Sequence, residues 1–356
     1  MQEARPFVAP RVASVATALP PHSVTAEQVK QYFPRVFPLD PRRLQVMLAV
    51  VDHSAIERRH VIRPVEEIVE PRPLSQLTQE YREHALALGR TAVCRALERA
   101  GLAPPDVDLL ITVSCTGVLI PSLDAYLMNE LGFRSETRRL PITELGCAAG
   151  AAALALAREH LMAFPTHRVL ILAVELPSLT FQRHDLSQAN LISCTLFGDG
   201  AAAAVIVSDG ARGPRMLDAR THLFPASLDA MGFDLRETGF HIVLSREVPA
   251  LIRSQIGQLV RDFLSLHGLS LDRVARWVLH PGGQKLLAFI EEELGLERAQ
   301  TQPSWDVLRE CGNLSSASVL FVLERWLARP APEPCYGLLA AFGPGFSAEL
   351  VLLRWD

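Results

Sequence analysis

The chain has 356 residues, 49% of them apolar and 21% charged, which is typical of a globular protein with two domains or one duplicated core. Its net charge of -4 and its lack of a long lysine or arginine cluster argue against nucleic acid and against a membrane surface as partners. The sequence shows neither a signal peptide nor an uncharged stretch long enough to span a bilayer, so we expect a soluble, cytoplasmic protein.

The cysteines and the short motifs exclude several kinds of site. None of the six cysteines forms a Cys-x-x-Cys pair, so we interpret them as reduced thiols and not as zinc ligands. The motifs His-Glu-x-x-His and Gly-x-Ser-x-Gly are absent, which removes the most direct evidence for a metalloprotease or a serine hydrolase.

The first hundred residues predict a strand followed by helices. Residues 11 to 19 alternate as in a strand, and a short helix begins at about Thr25. Residues 76 to 100 form the clearest amphipathic helix, which Gly101 ends. Several arginines lie between these helices, and we favour a solvated helix face over a phosphate-binding role for them: Arg42, Arg43, Arg58, Arg59 and Arg63.

A continuous apolar strand over residues 108 to 114 delivers Cys115 and Thr116 into a loop. In open α/β sheets, ligands bind at this carboxyl end of the strands. A helix is predicted over residues 121 to 131. We therefore expect Cys115 and Thr116 to lie at a binding edge of the sheet.

Residues 140 to 160 predict a short strand that ends at Gly146 and then a helix of small residues, with Cys147 in its first turn. Free N–H groups and the helix dipole at this position favour thiolate over thiol, and the neighbouring alanines leave room for a substrate. The alternative is that Cys147 is simply a small core residue.

Two further strands are predicted, over residues 168 to 175 and 197 to 207. Gly198-Asp199-Gly200 precedes the second strand instead of joining a strand to a helix, so we interpret it as a tight turn and not as a dinucleotide loop.

The same order of elements then begins again. A strand over residues 276 to 279 ends at His280, and a small-residue helix opens at Asn313, 33 residues later; Cys115 and Cys147 are 32 residues apart. The next buried strand follows each helix start after a similar interval. We infer an internal duplication with halves 1–210 and 211–356, in which Cys147 and Asn313 occupy equivalent helix starts.

This duplication brings a cysteine, a histidine and an asparagine to one junction. A cysteine beside a histidine is the arrangement of an acylated nucleophile. A histidine and an asparagine that both donate hydrogen bonds can stabilise an oxyanion. We therefore predict a site for acyl transfer at Cys147, His280 and Asn313.

Five segments carry a resemblance to type III polyketide synthases, the chalcone and stilbene synthase family, in order and spacing over nearly the whole chain. They are Leu145-Gly-Cys-Ala-Ala-Gly, Leu196-Phe-Gly-Asp-Gly-Ala-Ala-Ala, His280-Pro-Gly-Gly, Gly312-Asn-Leu-Ser-Ser-Ala-Ser and Phe342-Gly-Pro-Gly-Phe. The resemblance implies a thiolase-like α/β fold of two pseudo-symmetric halves in five α-β-α-β-α layers. It also implies a homodimer that condenses malonyl-CoA onto an acyl-CoA starter with no cofactor, metal or acyl carrier protein.

By the same resemblance, Cys147 matches the nucleophile, His280 and Asn313 the decarboxylation pair, and Phe197 the residue at the pocket entrance. We expect the pocket to include further residues at matching positions: Ile242, Cys115, Thr116, Thr180, Phe233, Ser315, Gly343, Pro344 and Gly345.

The sequence departs from the plant enzymes at two places. Ile242 replaces a second gating phenylalanine, and Val46, Ala49 and His53 align with basic residues that contact the phosphates of CoA. Basic residues elsewhere are candidates to substitute for those contacts: Lys285, Arg58 and Arg43.

The missing aromatic gate favours an aliphatic acyl starter and alkylpyrone or alkylresorcinol products, with a chalcone-like or tetrahydroxynaphthalene product as the second possibility. Two alternatives stay open for the function. One is a ketoacyl synthase of fatty-acid initiation, and the other is a catalytically silent scaffold of the same fold.

Overall fold

A computed structural model describes residues 8–331 and 334–356. The N-terminal part contains seven strands and seven helices, which are β1 (Arg11–Ala18), β2 (His22–Thr25), α1 (Ala26–Val36), α2 (Pro41–Asp52), β3 (Arg58–Val61), α3 (Val65–Ile68), α4 (Leu74–Ala100), β4 (Leu109–Val113), α5 (Leu123–Leu131), β5 (Arg138–Ile142), α6 (Ala149–Ala163), β6 (Val169–Glu175), α7 (Gln188–Leu196) and β7 (Gly200–Val207).

The C-terminal part continues with six strands and four helices. They are β8 (Arg215–Leu223), β9 (Met231–Arg236), β10 (Gly239–Leu244), α8 (Val248–Ser265), β11 (Val274–Leu279), α9 (Gln284–Leu294), α10 (Arg298–Cys311), α11 (Ser318–Leu327), β12 (Cys335–Gly343) and β13 (Ser347–Trp355). Two small antiparallel sheets stand apart from the main sheet: β2 with β3, and the hairpin of β9 with β10.

The other nine strands form one sheet in the order β11-β12-β13-β8-β1-β7-β6-β4-β5. In the N-terminal part, β4 and β6 are parallel and β7 is antiparallel to β6 and to β1. The C-terminal part repeats this arrangement, since β11 and β12 are parallel and β13 is antiparallel to β12 and to β8. The two parts join edge to edge where Arg11 pairs with Arg215. The strand arrangement confirms the predicted duplication.

Three apolar cores separate the elements into five layers. The central core packs α6 and α11 between the inner faces of both parts of the sheet. A second core packs α4 on the outer face of the N-terminal strands, and a third packs α8, α9 and α10 on the outer face of the C-terminal strands. The predicted α-β-α-β-α architecture is therefore confirmed.

The composition of the central helices follows from their place between two sheets. Helix α6 is rich in alanine because both of its sides face packed strands. A Cβ on Gly150 would lie 2.2 Å from the carbonyl oxygen of Ser316, so only glycine permits this approach of the chain before α11. The two helix starts are thus held in direct contact.

Several boundaries differ from the prediction. Strand β5 ends at Ile142 and not at Gly146, and Cys147 lies in a 3-10 turn, Gly146–Ala148, just before α6. The strand expected from Phe197 begins at Gly200, because Phe197 instead forms an isolated bridge with Asn313. The division at residue 210 stays a prediction.

A fourth apolar cluster joins α1, α2 and α7 into a cap beside the main sheet. Among the helices of the two described ranges, none combines the length and the apolar character needed to cross a membrane.

Candidate active site

A cavity of about 1360 Å³ lies between this cap, the β9–β10 hairpin and the starts of α8 and α9. Cys147, His280 and Asn313 all line it. Each of the three follows a strand or begins a helix at the same edge of the molecule, as the duplication predicted. Most of the other lining residues are apolar, so the cavity suits an uncharged organic chain.

The turn that presents Cys147 depends on a close backbone contact. Gly146 has a φ of +48°, and a Cβ there would lie 2.5 Å from the ring of Pro344. A side chain at this position is therefore excluded both by conformation and by space. The thiol of Cys147 is buried, and its Sγ lies 3.4 Å from Oγ of Ser315.

The protonation of Cys147 differs from the prediction. Burial raises the pKa of its thiol to about 12, and the nearby Glu175 acts in the same direction while the Ser315 hydroxyl opposes it. Desolvation therefore outweighs the features that favour a thiolate, and Cys147 is a neutral thiol at pH 7. The nucleophile has to be formed by proton transfer when a substrate arrives.

The amide of Asn313 is oriented by its neighbours. Its Oδ1 accepts hydrogen bonds from the backbone N–H of Ser315 at 2.8 Å and from Oγ of Ser318 at 3.4 Å. The Nδ2 group is thereby directed the other way, where it donates a long bond of 3.4 Å to the carbonyl oxygen of Gly282. The second N–H of this group has no acceptor among the described residues and can donate to an oxyanion.

Gly282 also brings His280 to Asn313. A Cβ on Gly282 would lie 2.6 Å from Cδ2 of Leu286 and 3.4 Å from Nε2 of the His280 ring, so a side chain here would displace Leu286 and crowd the imidazole. The ring is buried, and its Nδ1 has no hydrogen-bond partner among the described residues. Burial lowers the pKa of His280 to about 4, so the imidazole is neutral at pH 7.

These contacts form a continuous chain of neighbours. Cys147 contacts Ser315, the Ser315 backbone binds Asn313, and Asn313 and His280 meet at Gly282. A neutral thiol, a neutral imidazole and an oriented amide therefore face one cavity. This set supplies a sulfur nucleophile and, in the same cavity, two side chains that can donate hydrogen bonds to a developing oxyanion.

Cys115 and Thr116 belong to a buried polar network that sequence reasoning missed. Glu175 is fully buried, and its carboxylate accepts hydrogen bonds from Thr116 Oγ1 at 2.8 Å, from the Cys115 backbone at 3.2 Å and from Ser316 Oγ. Burial raises the pKa of Glu175 and, together with that carboxylate, raises the pKa of Cys115 well above its usual range. The acidic residue that ends the apolar strand β6 was the available signal.

A buried arginine supports the loop of Phe197. Nη1 of Arg59 donates to the carbonyl oxygens of Cys194 at 2.6 Å and of Phe197 at 3.0 Å. Burial lowers the pKa of Arg59 to about 10, which leaves it charged at neutral pH. The interpretation of Arg59 as part of a solvated helix face is wrong, because it lies on β3 and faces the interior.

Most of the predicted pocket residues line the cavity: Phe197, Ile242, Cys115, Thr116, Thr180, Phe233, Ser315 and Pro344. Ile242 and Phe233 are directly paired across the β9–β10 hairpin. Gly343 and Gly345 are not among the lining residues. A Cβ on Gly343 would meet the Leu145 carbonyl oxygen at 2.5 Å, so this glycine packs beneath the Cys147 turn.

The three basic residues expected to bind CoA are placed differently. Lys285 lines the cavity at the start of α9, whereas Arg43 and Arg58 do not line it. The guanidinium of Arg43 donates to the carbonyl oxygen of Leu186 at 2.7 Å, and Arg58 lies on β3 opposite Thr25. A direct role of Arg43 or Arg58 at this cavity is therefore not supported.

Across residues 8–331 and 334–356, no group of three or more His, Cys, Asp or Glu side chains is arranged to hold a metal ion.

Comparison with known families identifies two matching regions. The N-terminal domain of chalcone and stilbene synthases matches residues 8–210, and the C-terminal domain of the same synthases matches residues 215–355. Together the two matches cover nearly the whole chain.

Individual relatives agree with these matches. A 1,3,6,8-tetrahydroxynaphthalene synthase of Streptomyces peucetius subsp. caesius is 40% identical over 351 residues, which cover 97% of this chain and 93% of the relative. A phloroglucinol synthase of Pseudomonas fluorescens is 31% identical over 337 residues, covering 94% and 96%. The crystal structure of the tetrahydroxynaphthalene synthase of Streptomyces coelicolor, a bacterial type III polyketide synthase, superposes with a TM-score of 0.94 at 34% identity and covers 97% of this chain and 99% of that one.

Proposed function

Because this chain belongs to the chalcone and stilbene synthase family and is a type III polyketide synthase, we propose that it extends an acyl group on Cys147 with malonyl-CoA. The observation that carries this proposal is the chain of contacts from Cys147 through Ser315 to Asn313, in a cavity that His280 also lines. The roles below follow from the protonation states and the orientation of these groups.

Loading begins with a neutral thiol. When the starter thioester reaches the site, the sulfur of Cys147 attacks the carbonyl carbon of the starter. The proton of the Cys147 thiol passes to the imidazole of His280 during this attack. Collapse of the tetrahedral intermediate breaks the bond to CoA, and the CoA sulfur takes the proton back from His280. His280 returns to the neutral form that its burial favours.

Extension requires an oxyanion site. When malonyl-CoA loses carbon dioxide, the electron pair of the broken C–C bond forms an enolate, whose oxygen accepts hydrogen bonds from Nδ2 of Asn313 and from the His280 imidazole. A neutral imidazole can serve as such a donor. The carbanion then attacks the thioester carbon on Cys147, the C–S bond to Cys147 breaks, and the longer chain leaves as its CoA thioester. For the next cycle the freed Cys147 thiolate attacks this thioester and releases CoA, whose sulfur takes a proton from solvent.

Both reactants enter as CoA thioesters in this scheme. Direct use of acyl-CoA and malonyl-CoA without an acyl carrier protein, without a metal and without a cofactor is part of the proposal, as is a location in the cytoplasm. The proposal that no metal takes part is supported by the side chains of Asn313 and His280, which line the cavity and can donate hydrogen bonds to the enolate oxygen.

The open edge of the sheet supports the proposed homodimer. Strand β5 pairs only with β4 among the described strands, and its residue Leu140 is 36% exposed. Ile120, in the loop before α5, is 95% exposed. An apolar surface beside an unpaired strand edge suits a second copy of the chain, which would cover both.

The cavity supports an aliphatic starter. Its outer part is lined by apolar side chains of α1 and α2, among them Val29, Phe33 and Val50, and Ile242 adds no aromatic barrier. An alkyl chain would bury its surface there, giving alkylpyrone or alkylresorcinol products. The second candidate is a tetrahydroxynaphthalene product, which is favoured by the 40% identity to a synthase of that name.

Incubation with malonyl-CoA alone and with a panel of acyl-CoA starters, followed by mass spectrometry, tests the proposal. Alkyl products from long-chain starters are expected, whereas tetrahydroxynaphthalene from malonyl-CoA alone would favour the second candidate. A requirement for malonyl carrier protein would indicate a ketoacyl synthase of fatty-acid initiation. The absence of turnover with every substrate would indicate a silent scaffold and would contradict the proposal.

A further inference from the structure

The position of the charged end of CoA is not defined by the catalytic residues. CoA carries several phosphate charges at one end and a thiol at the other, joined by an uncharged arm. If the thiol end reaches Cys147, the phosphates have to lie near the mouth of the cavity. The following inference rests on the proposed use of CoA thioesters.

One wall of the mouth offers no cation. Helix α2 contributes Val46, Ala49 and Val50 to the lining, and Val46 is 54% exposed although it is apolar. Arg43, at the start of the same helix, does not line the cavity and uses its guanidinium on the Leu186 carbonyl oxygen. Phosphates bound on this wall would meet an apolar surface.

The wall formed by the starts of α8 and α9 offers two cations. Arg246 lies in the turn between β10 and α8, and Lys285 is the second residue of α9; both line the cavity and are exposed. The two helices pack against each other through a shared apolar core, which fixes these starts on one side of the mouth. Lys285 is one of only two lysines in the sequence.

Neither cation is neutralised within the protein. Many other arginines form ion pairs, such as Arg253 on α8 with Glu292 on α9 at 2.8 Å. No carboxylate of the described ranges lies within 4.0 Å of the charged nitrogens of Arg246 or Lys285. Two unpaired cations at the mouth of an apolar cavity provide a site for a multiply charged anion.

We propose that Arg246 and Lys285 bind the phosphates of CoA, so that the charged end of the substrate rests on the α8–α9 wall and not on α2. Arg246 forms paired hydrogen bonds with phosphate oxygens, and Lys285 adds a compact charge. The uncharged arm then follows the apolar lining inward to Cys147. These residues select the CoA carrier and take no part in the bond-making steps.

The test compares two malonyl thioesters in Arg246→Gln, Lys285→Gln and the double variant. With malonyl-CoA, we expect each single variant to raise KM roughly tenfold and the double variant to raise it further, with kcat unchanged. With malonyl-N-acetylcysteamine, which has no phosphate, both constants are expected to stay at the wild-type values. The wild-type KM for malonyl-CoA should also rise with ionic strength more steeply than that of the double variant.

The matched control is Arg273→Gln, which removes an exposed arginine at the opposite end of β11, outside the cavity, and should leave KM unchanged. An unchanged KM for malonyl-CoA in the double variant would overturn the inference. So would equal losses with the two thioesters, because these would indicate a structural role. If the wild-type enzyme failed to turn over malonyl-CoA, the proposed function would fail, and the Kd of CoA itself, measured by calorimetry, would still test the pair.

Discussion

At the scale of single residues, Ser315 connects the two cysteines of the site with Asn313. Its hydroxyl lies 3.4 Å from the sulfur atoms of both Cys147 and Cys115, and its backbone N–H orients Asn313. The identities of Cys147, His280 and Asn313 could be predicted because their chemistry and spacing are visible in the sequence. Their protonation could not, because it depends on burial, which brings Cys147 and His280 to their neutral forms.

The buried imidazole makes the stability of the fold depend on pH. The pKa of His280 is lowered from 6.5 to about 4, so the unfolded chain binds this proton first as the pH falls. The contribution of neutral His280 to the free energy of unfolding is fully present above pH 6.5. It falls by roughly 3 kcal/mol as the pH drops from 6.5 to 4.

Urea unfolding of the wild type and of His280→Gln at pH 7 and pH 4 measures this contribution, because the difference between the two proteins cancels the other titrating groups. The variant is expected to lose less stability than the wild type. Equal losses would show that His280 is not held neutral by the fold.

Ile242 controls the choice of starter in our account. Its side chain lines the cavity beside Phe233, and a phenylalanine at this position would fill space that an alkyl chain needs. Ile242→Phe is expected to lower the kcat/KM ratio of long-chain to aromatic starters by about tenfold. Leu235→Phe, at an exposed position of the same hairpin, is the matched control and should leave the ratio unchanged. An unchanged ratio in Ile242→Phe would refute the gate.

At the scale of elements, the sequence predicted those strands and helices whose patterns are strong. The long helix α4 and the apolar strands β4, β6 and β11 lie within a few residues of their predicted bounds. Helix α7 and the β9–β10 hairpin were not predicted, because their residues are packed against the cap and the cavity and show no simple apolar period. Both elements contribute to the cavity wall, and Arg246 lies in the turn that follows the hairpin, so it was missed as well.

The contact between the start of α6 and the chain segment before α11 is a second element-scale feature with a testable consequence. The Cβ added by Gly150→Ala would lie 2.2 Å from the Ser316 carbonyl oxygen, so the helices have to move apart. We expect a loss of about 1 to 3 kcal/mol in the free energy of unfolding and a reduced rate of condensation, because Cys147 and Ser315 separate.

Gly89→Ala on α4 is the matched control for this variant. Its Cβ would approach only the end of the Leu172 side chain, at 3.1 Å, and alanine is favoured over glycine in a helix by about 1 kcal/mol. Stability within about 1 kcal/mol of the wild type and full activity are expected of this control. Equal effects of the two substitutions would contradict the role of Gly150 in helix contact.

At the scale of the whole molecule, the duplication predicted the five layers because each repeat supplies one part of the sheet and one central helix. The edge-to-edge junction of the two parts was not predictable, since β1 and β8 are registered there through one residue pair, Arg11 with Arg215. The same is true of the cap, whose helices have no counterpart in the C-terminal repeat.

The proposed homodimer is a prediction at this scale. Leu140→Asp places a charge on the open edge of β5, where association would bury it without a partner. Analytical ultracentrifugation is expected to give the mass of two chains for the wild type and of one chain for this variant. Leu228→Asp, at a residue that is 76% exposed elsewhere, should stay dimeric. A monomeric wild type would contradict the dimer.

The central claim is that Asn313 and His280 form an oxyanion site that works without a covalent bond to Cys147. Carbon dioxide release from malonyl-CoA, measured beside product formation in Cys147→Ala, His280→Ala and Asn313→Ala, tests it most directly. We predict that Cys147→Ala forms no extended product yet still releases carbon dioxide, whereas Asn313→Ala and His280→Ala lower that release by roughly 10²–10³-fold. Loss of decarboxylation in Cys147→Ala as complete as in Asn313→Ala would contradict the account.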